Sequence, residues 1–251
     1  NETYNTNTSG REYKSSYLQT RHAMRSVDKS ILLGAQLRSS GNPADKWNHD
    51  VISGSDGRID FGILHLYLPA LPGSARQAVD ANTVALAALS ADARLDEILT
   101  STRQILSIYS PANPPPLVVS EFNGNYGYND PVPYRFTLFN AIHNADMLRI
   151  MLQPEYQVTM SNYWLFANAH WGMVWTKGDK KSAIVKQADQ LMYELVKRHI
   201  GDEIVGHTIA SDSFEFPGGL GIPPRLSPSV NAAPARRQRC SGTGCGAAAG
   251  A

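Results

Sequence analysis

Glu121 stands where an apolar run, Leu117-Val118-Val119, gives way to the polar, glycine-rich stretch "EFNGNYGYND". A carboxylate at the mouth of a buried strand suits acid/base or nucleophilic work, and equally a structural pairing with an arginine. Other polar residues fall at comparable places. His65 and Tyr67 close the preceding apolar run, Asn123 follows Glu121 closely, and Asn162, Tyr163 and Trp164 close the next run. Asn1-Glu2 precedes a polar loop and a helical stretch, which is also the position of a strand end. Two carboxylates at two strand ends of one sheet, here Glu2 and Glu121, form the pair that glycoside hydrolysis requires. One protonates the leaving oxygen, and the other attacks the anomeric carbon or activates water. Aromatic rings supply the complementary binding surface, because the apolar face of a sugar packs on a flat ring. Trp164 is placed for that task. Trp171 and Trp175 are four apart, which fits a platform or one face of a core helix. Tyr126 and Tyr128 read as cleft rim or as structure, and Trp47 as core.

Bulk properties exclude several alternatives. The formal net charge is +1, with 23 basic and 22 acidic residues, so no field draws the chain to nucleic acid or to an anionic membrane. No apolar run approaches the length of a membrane-spanning helix. The seven histidines show no paired metal-ligand spacing, and both cysteines, Cys240 and Cys245, lie in a Gly/Ala-rich tail. No metal and no cofactor is expected. The chain opens on Asn1-Glu2-Thr3 without a recognisable leader, which leaves a secreted or a cytoplasmic location open.

The elements that must position these residues alternate. Helical spacing covers residues 13–27, 45–52, 76–109 (broken near Ser90), 133–152 and 182–199, while β-branched or leucine-rich runs cover 31–37, 59–67, 117–122 and 156–166. Strand–helix repetition predicts parallel βαβ units in an α/β fold, either an open doubly wound sheet or a (β/α)8 barrel. No glycine-rich phosphate loop follows any strand, which argues against a nucleotide-binding sheet. Residues 201–216 alternate like the start of a small β domain, and residues 217–251 have a Pro/Gly/Ala-rich composition expected to remain unfolded.

Over residues 1–209 the chain resembles the clan A glycoside hydrolases, and most nearly the α-L-arabinofuranosidase family, family 51. Asn1-Glu2 resembles the end of that family's fourth-strand motif, and "AMRSVDKSILLGA" (23–35) the passage into its fifth strand. "IDFGILHLY" (59–67) is similar to the sixth strand, "LVVSEFN" (117–123) to the seventh, and "SNYWLF" (161–166) stands at the eighth. "YELVKRHIGDEIV" (193–205) resembles the return into the family's β-sandwich. The resemblance implies a TIM-type (β/α)8 barrel of which residues 1–200 supply the C-terminal half, strands four to eight. It implies Glu2 as general acid/base and Glu121 as nucleophile of a retaining double displacement. Asn1, His65, Tyr67, Asn123 and Trp164 are the expected substrate-binding residues, with Tyr67 donating to the nucleophile and Trp164 walling the central subsite. The implied substrate is a plant or algal oligo- or polysaccharide. Arabinofuranosides stand first, with β-xylosidase, endoglucanase and agarase-like activities open. A half barrel exposes sheet edges, so self-association and a need for the remaining strands in turnover are expected. The alternatives are a carbohydrate-binding barrel without catalysis and an open-sheet domain in which Asn1-Glu2 lies away from Glu121.

Overall fold

The computed structural model describes residues 7–55, 57–71, 79–126, 133–167, 171–176, 184–201 and 214–226. Asn1, Glu2 and Tyr128 lie outside these residues. The described elements are α1 (Gly10–Val27), β1 (Gly34–Gln36), α2 (Lys46–Ile52), β2 (Phe61–Ala70), α3 (Ala81–Leu89), α4 (Ala91–Tyr109), β3 (Leu117–Asn125), α5 (Leu138–Met151), β4 (Val158–Tyr163), β5 (Val174–Thr176), β6 (Ile184–Lys186), α6 (Ala188–His199), β7 (Glu215–Phe216) and β8 (Arg225–Leu226).

Strands β1 to β4 form one parallel sheet in chain order, with helical crossovers between them. This is the wall of a partial (β/α)8 barrel. Several helix starts are written locally. Ser9 and Glu12 close a capping box on α1, the Ser9 hydroxyl accepting the Glu12 N–H at 3.3 Å and Glu12 accepting the Ser9 N–H at 2.7 Å. Asp45 caps α2 and Asp80 caps α3 through their carboxylates. The long helical stretch after β2 divides at Ser90 into α3 and α4, as the sequence break predicted. The predicted helix over 182–199 begins later, at Ala188. The β-branched Ile184-Val185 pair instead joins β6 to β5 as an antiparallel hairpin, so Trp175 lies on a strand and shares no helix with Trp171.

The core fills the space between the sheet and its helices. Leu64 and Leu66 of β2, Leu117, Val119 and Phe122 of β3, Leu95, Ile98 and Leu99 of α4, and Met147 and Met151 of α5 are all buried in one cluster. With a side-chain period of two, this places His65 and Tyr67 on the opposite, concave face of β2. At the far end of the strands, Asp60 accepts from Arg21 at 3.2 Å, from Arg25 at 2.9 Å and from the Leu33 N–H at 2.8 Å. That clamp ties the end of α1 to the starts of β1 and β2.

Residues 217–226, expected to open an unfolded tail, pack on the barrel. Phe216 and Ile222 are buried in the main cluster, and the Ala70 N–H donates to the Leu220 carbonyl at 2.8 Å. Despite its Pro/Gly-rich composition, this stretch brings Ile222 into the core beside Phe216, and residues 227–251 lie outside the described residues. No described helix is long and apolar enough to cross a membrane.

One buried group makes the fold sensitive to acid. His143 of α5 is buried, and burial holds its pKa down to about 4 against the opposing pull of the Leu68 carbonyl, Asp146 and the Ala88 carbonyl. The native imidazole therefore stays neutral while the unfolded chain takes up a proton from the ordinary value of 6.5 downward. Its contribution to stability is complete above that value and is lost as the pH falls toward 4, about 3 kcal/mol in all. Urea unfolding at pH 7.5 and pH 4.5 should show this difference, and His143→Gln should remove that share of the pH dependence.

Candidate active site

The register of β3 decides where Glu121 points. Leu64 pairs with Val119, but the next residue of β2, His65, pairs with Glu121, so Ser120 is an extra residue on β3. This β-bulge interrupts the alternation. Without it Glu121 would share the helix-facing side with Val119; with it, Glu121 joins His65 on the concave face and Phe122 returns to the core beside Leu66. The strand continues to Asn125, so Glu121 lies within β3 and not at its end.

Tyr67 donates its hydroxyl proton to Glu121 Oε2 at 2.5 Å, and His65 Nδ1 lies 3.5 Å from the same oxygen. The phenol bond is short and charge-assisted, so it stabilises the anionic carboxylate and fixes its rotamer. Glu121 and His65 keep about a fifth of their side-chain surface in contact with solvent, 22% and 19%. They are accessible, but not bathed in water.

Trp164 follows β4 directly. Its N–H donates to the Phe122 carbonyl at 3.0 Å, and its own carbonyl accepts from Asn123 Nδ2 at 2.6 Å. Asn123 is fully buried and its Oδ1 takes the Gly124 N–H at 2.7 Å, so its side chain holds Trp164 in place and presents no atom to the cleft. The expected sugar contact at Asn123 is corrected on that ground. Behind it runs a buried amide network: Asn144 Nδ2 reaches Asn123 Oδ1 at 3.4 Å and Asp189 Oδ1 at 2.8 Å, while Asn140 Nδ2 donates to Asp189 Oδ2 at 3.0 Å. Burial raises the pKa of Asp189, and bonds from Asn144, Asn140 and Tyr163 oppose that shift. Tyr126 belongs to this network rather than to a rim. It is fully buried and donates to Asn140 Oδ1 at 2.9 Å.

The second aromatic wall is Trp171. Its ring meets Tyr67 edge-on at 5.5 Å, and the buried Arg135 guanidinium sits 3.6 Å from its centroid. Cation–π contact with a desolvated arginine holds the indole against the phenol that contacts Glu121. The sequence spacing left Trp171 undecided, and Arg135 carried no signal, being one arginine in a helical stretch. Trp47 is core, as its surroundings predicted.

His65, Tyr67, Glu121, Trp164 and Trp171 line a cleft of about 760 Å³ that also takes in Arg38, Ser39, Arg94 and Gly221. A cleft of that size suits several sugar units. Among the described residues no group of three or more His, Cys, Asp or Glu is arranged to hold a metal ion.

No family model and no curated protein matches the sequence. Solved structures do match its fold. The α-L-arabinofuranosidase of Thermotoga maritima superposes with a TM-score of 0.67 at 19% identity, covering 86% of this chain and 42% of that one. The family 51 arabinofuranosidase of Xanthomonas axonopodis pv. citri gives 0.61 at 21% identity, over 76% of this chain and 39% of that one. The family 51 α-L-arabinofuranosidase of Bifidobacterium longum gives 0.60 at 13%, over 76% and 40%. The shared feature is the (β/α)8 barrel fold. The chain spans well under half the length of each of those enzymes. Within the barrel, His65 and Glu121 stand mid-strand on β2 and β3, Tyr67 lies two residues further along β2, and Trp164 comes just past the end of β4, so the group opens toward the rim where TIM barrels build their sites.

Asn123→Ala should cost about 1–3 kcal/mol in urea unfolding, because it leaves the Asn144 amide and the Trp164 carbonyl short of a partner. The loosened Trp164 should then be quenched more strongly by acrylamide, which checks that the loss reaches the cleft.

Proposed function

We infer that this chain carries the C-terminal part of the catalytic barrel of a retaining glycoside hydrolase. The supporting observation is the carboxylate of Glu121, turned onto the concave face by a bulge, bonded by Tyr67 and sharing one cleft with Trp164 and Trp171. Residues 1–200 form the barrel part in this reading, and the segment from 214 onward leads out of it.

Glu121 is the nucleophile. Its carboxylate attacks the anomeric carbon and forms a glycosyl ester as the bond to the leaving oxygen breaks. Glu2 gives its proton to that oxygen, then takes a proton from water, and the resulting hydroxide displaces Glu121 from the sugar. Both carboxyl groups end in their starting states. Tyr67 holds the nucleophile's charge and orientation, Asn1 and His65 bind hydroxyls beside it, and Trp164 and Trp171 take the apolar faces of the ring. Asn123 acts through Trp164 and is a positioning residue. Arabinofuranosides are the first substrates to test, since the superposed enzymes are named for that sugar.

Release of arabinose from an aryl α-L-arabinofuranoside, followed by proton NMR, should show the α-anomer first. Inversion, or no hydrolysis of furanoside and pyranoside panels alike once this chain is joined to the remaining barrel strands, overturns the reading. Glu121→Gln should lower kcat/KM by at least about 1,000-fold, in keeping with loss of the attacking group. Tyr67→Phe should lose about 10- to 100-fold, the value of a hydrogen bond to a charged group. Glu2→Gln should cost about 100- to 10,000-fold with poor leaving groups and far less with an activated phenol, the pattern expected of a lost general acid.

A further inference from the structure

We propose that the β1 end of the cleft binds an anionic group on the sugar chain, a carboxylate or a sulfate, with Arg38 as the principal contact and Arg94 as the second. The proposal rests on the glycosidase reading and adds the substrate's charge to it.

Arg38 is level with the carboxylate of the site. Gln36 pairs with Ile63, and His65, two residues on, pairs with Glu121, so Arg38 continues the same row across the sheet. Neighbouring strands are about 4.8 Å apart, which puts the backbones of Arg38 and Glu121 on the order of 10 Å from each other. An anionic residue adjoining the sugar over Glu121 would fall within reach of the long arginine side chain.

The guanidinium is also held in advance. The buried Asn48 side chain grips both backbone groups of Arg38, accepting its N–H at 2.7 Å and donating to its carbonyl at 3.0 Å. The guanidinium carbon stands 5.1 Å from the Trp47 ring centroid. Two further bonds pin the loop that follows: Ser39 Oγ donates to the His65 carbonyl, and Ser101 Oγ donates to the Ser40 carbonyl at 2.6 Å. A guanidinium stacked on an indole keeps its in-plane N–H fork free for a planar or tetrahedral oxyanion. Among the described residues no carboxylate pairs with Arg38, whereas Arg94 is partly compensated by Glu97 at 2.7 Å. Neutral sugars are served by Trp164 and Trp171, which line the same cleft, and give no reason for a preorganised cation beside β1.

The test uses the full chain as Glu121→Gln, so that ligands bind without turnover, and isothermal titration calorimetry with matched oligosaccharides. Xylo-oligosaccharides with and without a glucuronic acid branch probe a carboxylate; galacto-oligosaccharides with and without sulfate probe a sulfate. In one of the two pairs the anionic member should bind about 10-fold tighter or more, and salt at about 0.5 M should collapse that preference. The pair that shows it identifies the anion. Adding Arg38→Gln should bring the anionic-to-neutral ratio close to one, Arg38→Lys should keep part of it, and Arg94→Gln should lower it less. Because the ratio is read within each variant, a general loss of folded protein does not imitate the effect. A ratio near one in both pairs, or one unchanged by Arg38→Gln, overturns the proposal. Hydrolysis of the same oligosaccharides by the unmodified chain judges the glycosidase reading separately. Turnover without charge preference sinks only the anion site, and an Arg38-dependent preference without turnover sinks only the enzyme.

Discussion

Everything at the concave face depends on one extra residue in β3. The strand must satisfy two demands with a side-chain period of two. Leu117, Val119 and Phe122 have to meet the helices, and Glu121 has to face away from them. A regular strand cannot meet both, because Val119 and Glu121 would then share a face. The bulge at Ser120 resolves the conflict by spending one unpaired residue, and the inner row His65, Glu121 and the Tyr67 hydroxyl follows from it.

Behind that row the molecule uses buried polarity where a barrel would ordinarily use aliphatic packing. Asp189, Asn140, Asn144 and Asn123 carry directional bonds from α6 through α5 to the Trp164 carbonyl. The network's one gap among the described residues is Asn144 Oδ1, which is buried without a partner, so it carries a desolvation cost as well as its bonds. Its return is orientation. The bonds fix the Trp164 backbone, and with it the point from which the indole enters the cleft. Arg135 serves Trp171 in the same sense, by a cation–π contact in place of a hydrogen bond.

The strand–helix alternation, the break at Ser90 and the buried face of each long helix were readable because they rest on local periodicity and capping chemistry. So was the likeness of "LVVSEFN" and "IDFGILHLY" to strands of a known barrel, which located Glu121 and Tyr67. The bulge was not readable: Leu-Val-Val-Ser-Glu-Phe has no glycine or proline to announce it, and only pairing with β2 reveals the slip. Asn123 looked like a ligand because it lies two residues past an acid, and the structure turns it inward. Arg135 and Arg38 were invisible for a simpler reason. A solitary arginine means nothing until tertiary contacts give it a ring to stack on. Residues 217–226 misled through composition, which measures how much apolar surface a segment has and not where two side chains land.

The docking of that late segment sets an order of events. Gly221 lines the cleft and Leu220 completes the hydrogen bonding at the end of β2, some 150 residues earlier in the chain. A ribosome delivers β2 long before it delivers the piece that covers it. Until then the core cluster lacks Phe216 and Ile222, and the apolar side chains they cover stay exposed. Loop closure over so long a separation is among the slower steps available to a domain. The newborn barrel therefore spends an adhesive interval waiting for this late segment, a period in which a chaperone's protection would matter more than after it has docked.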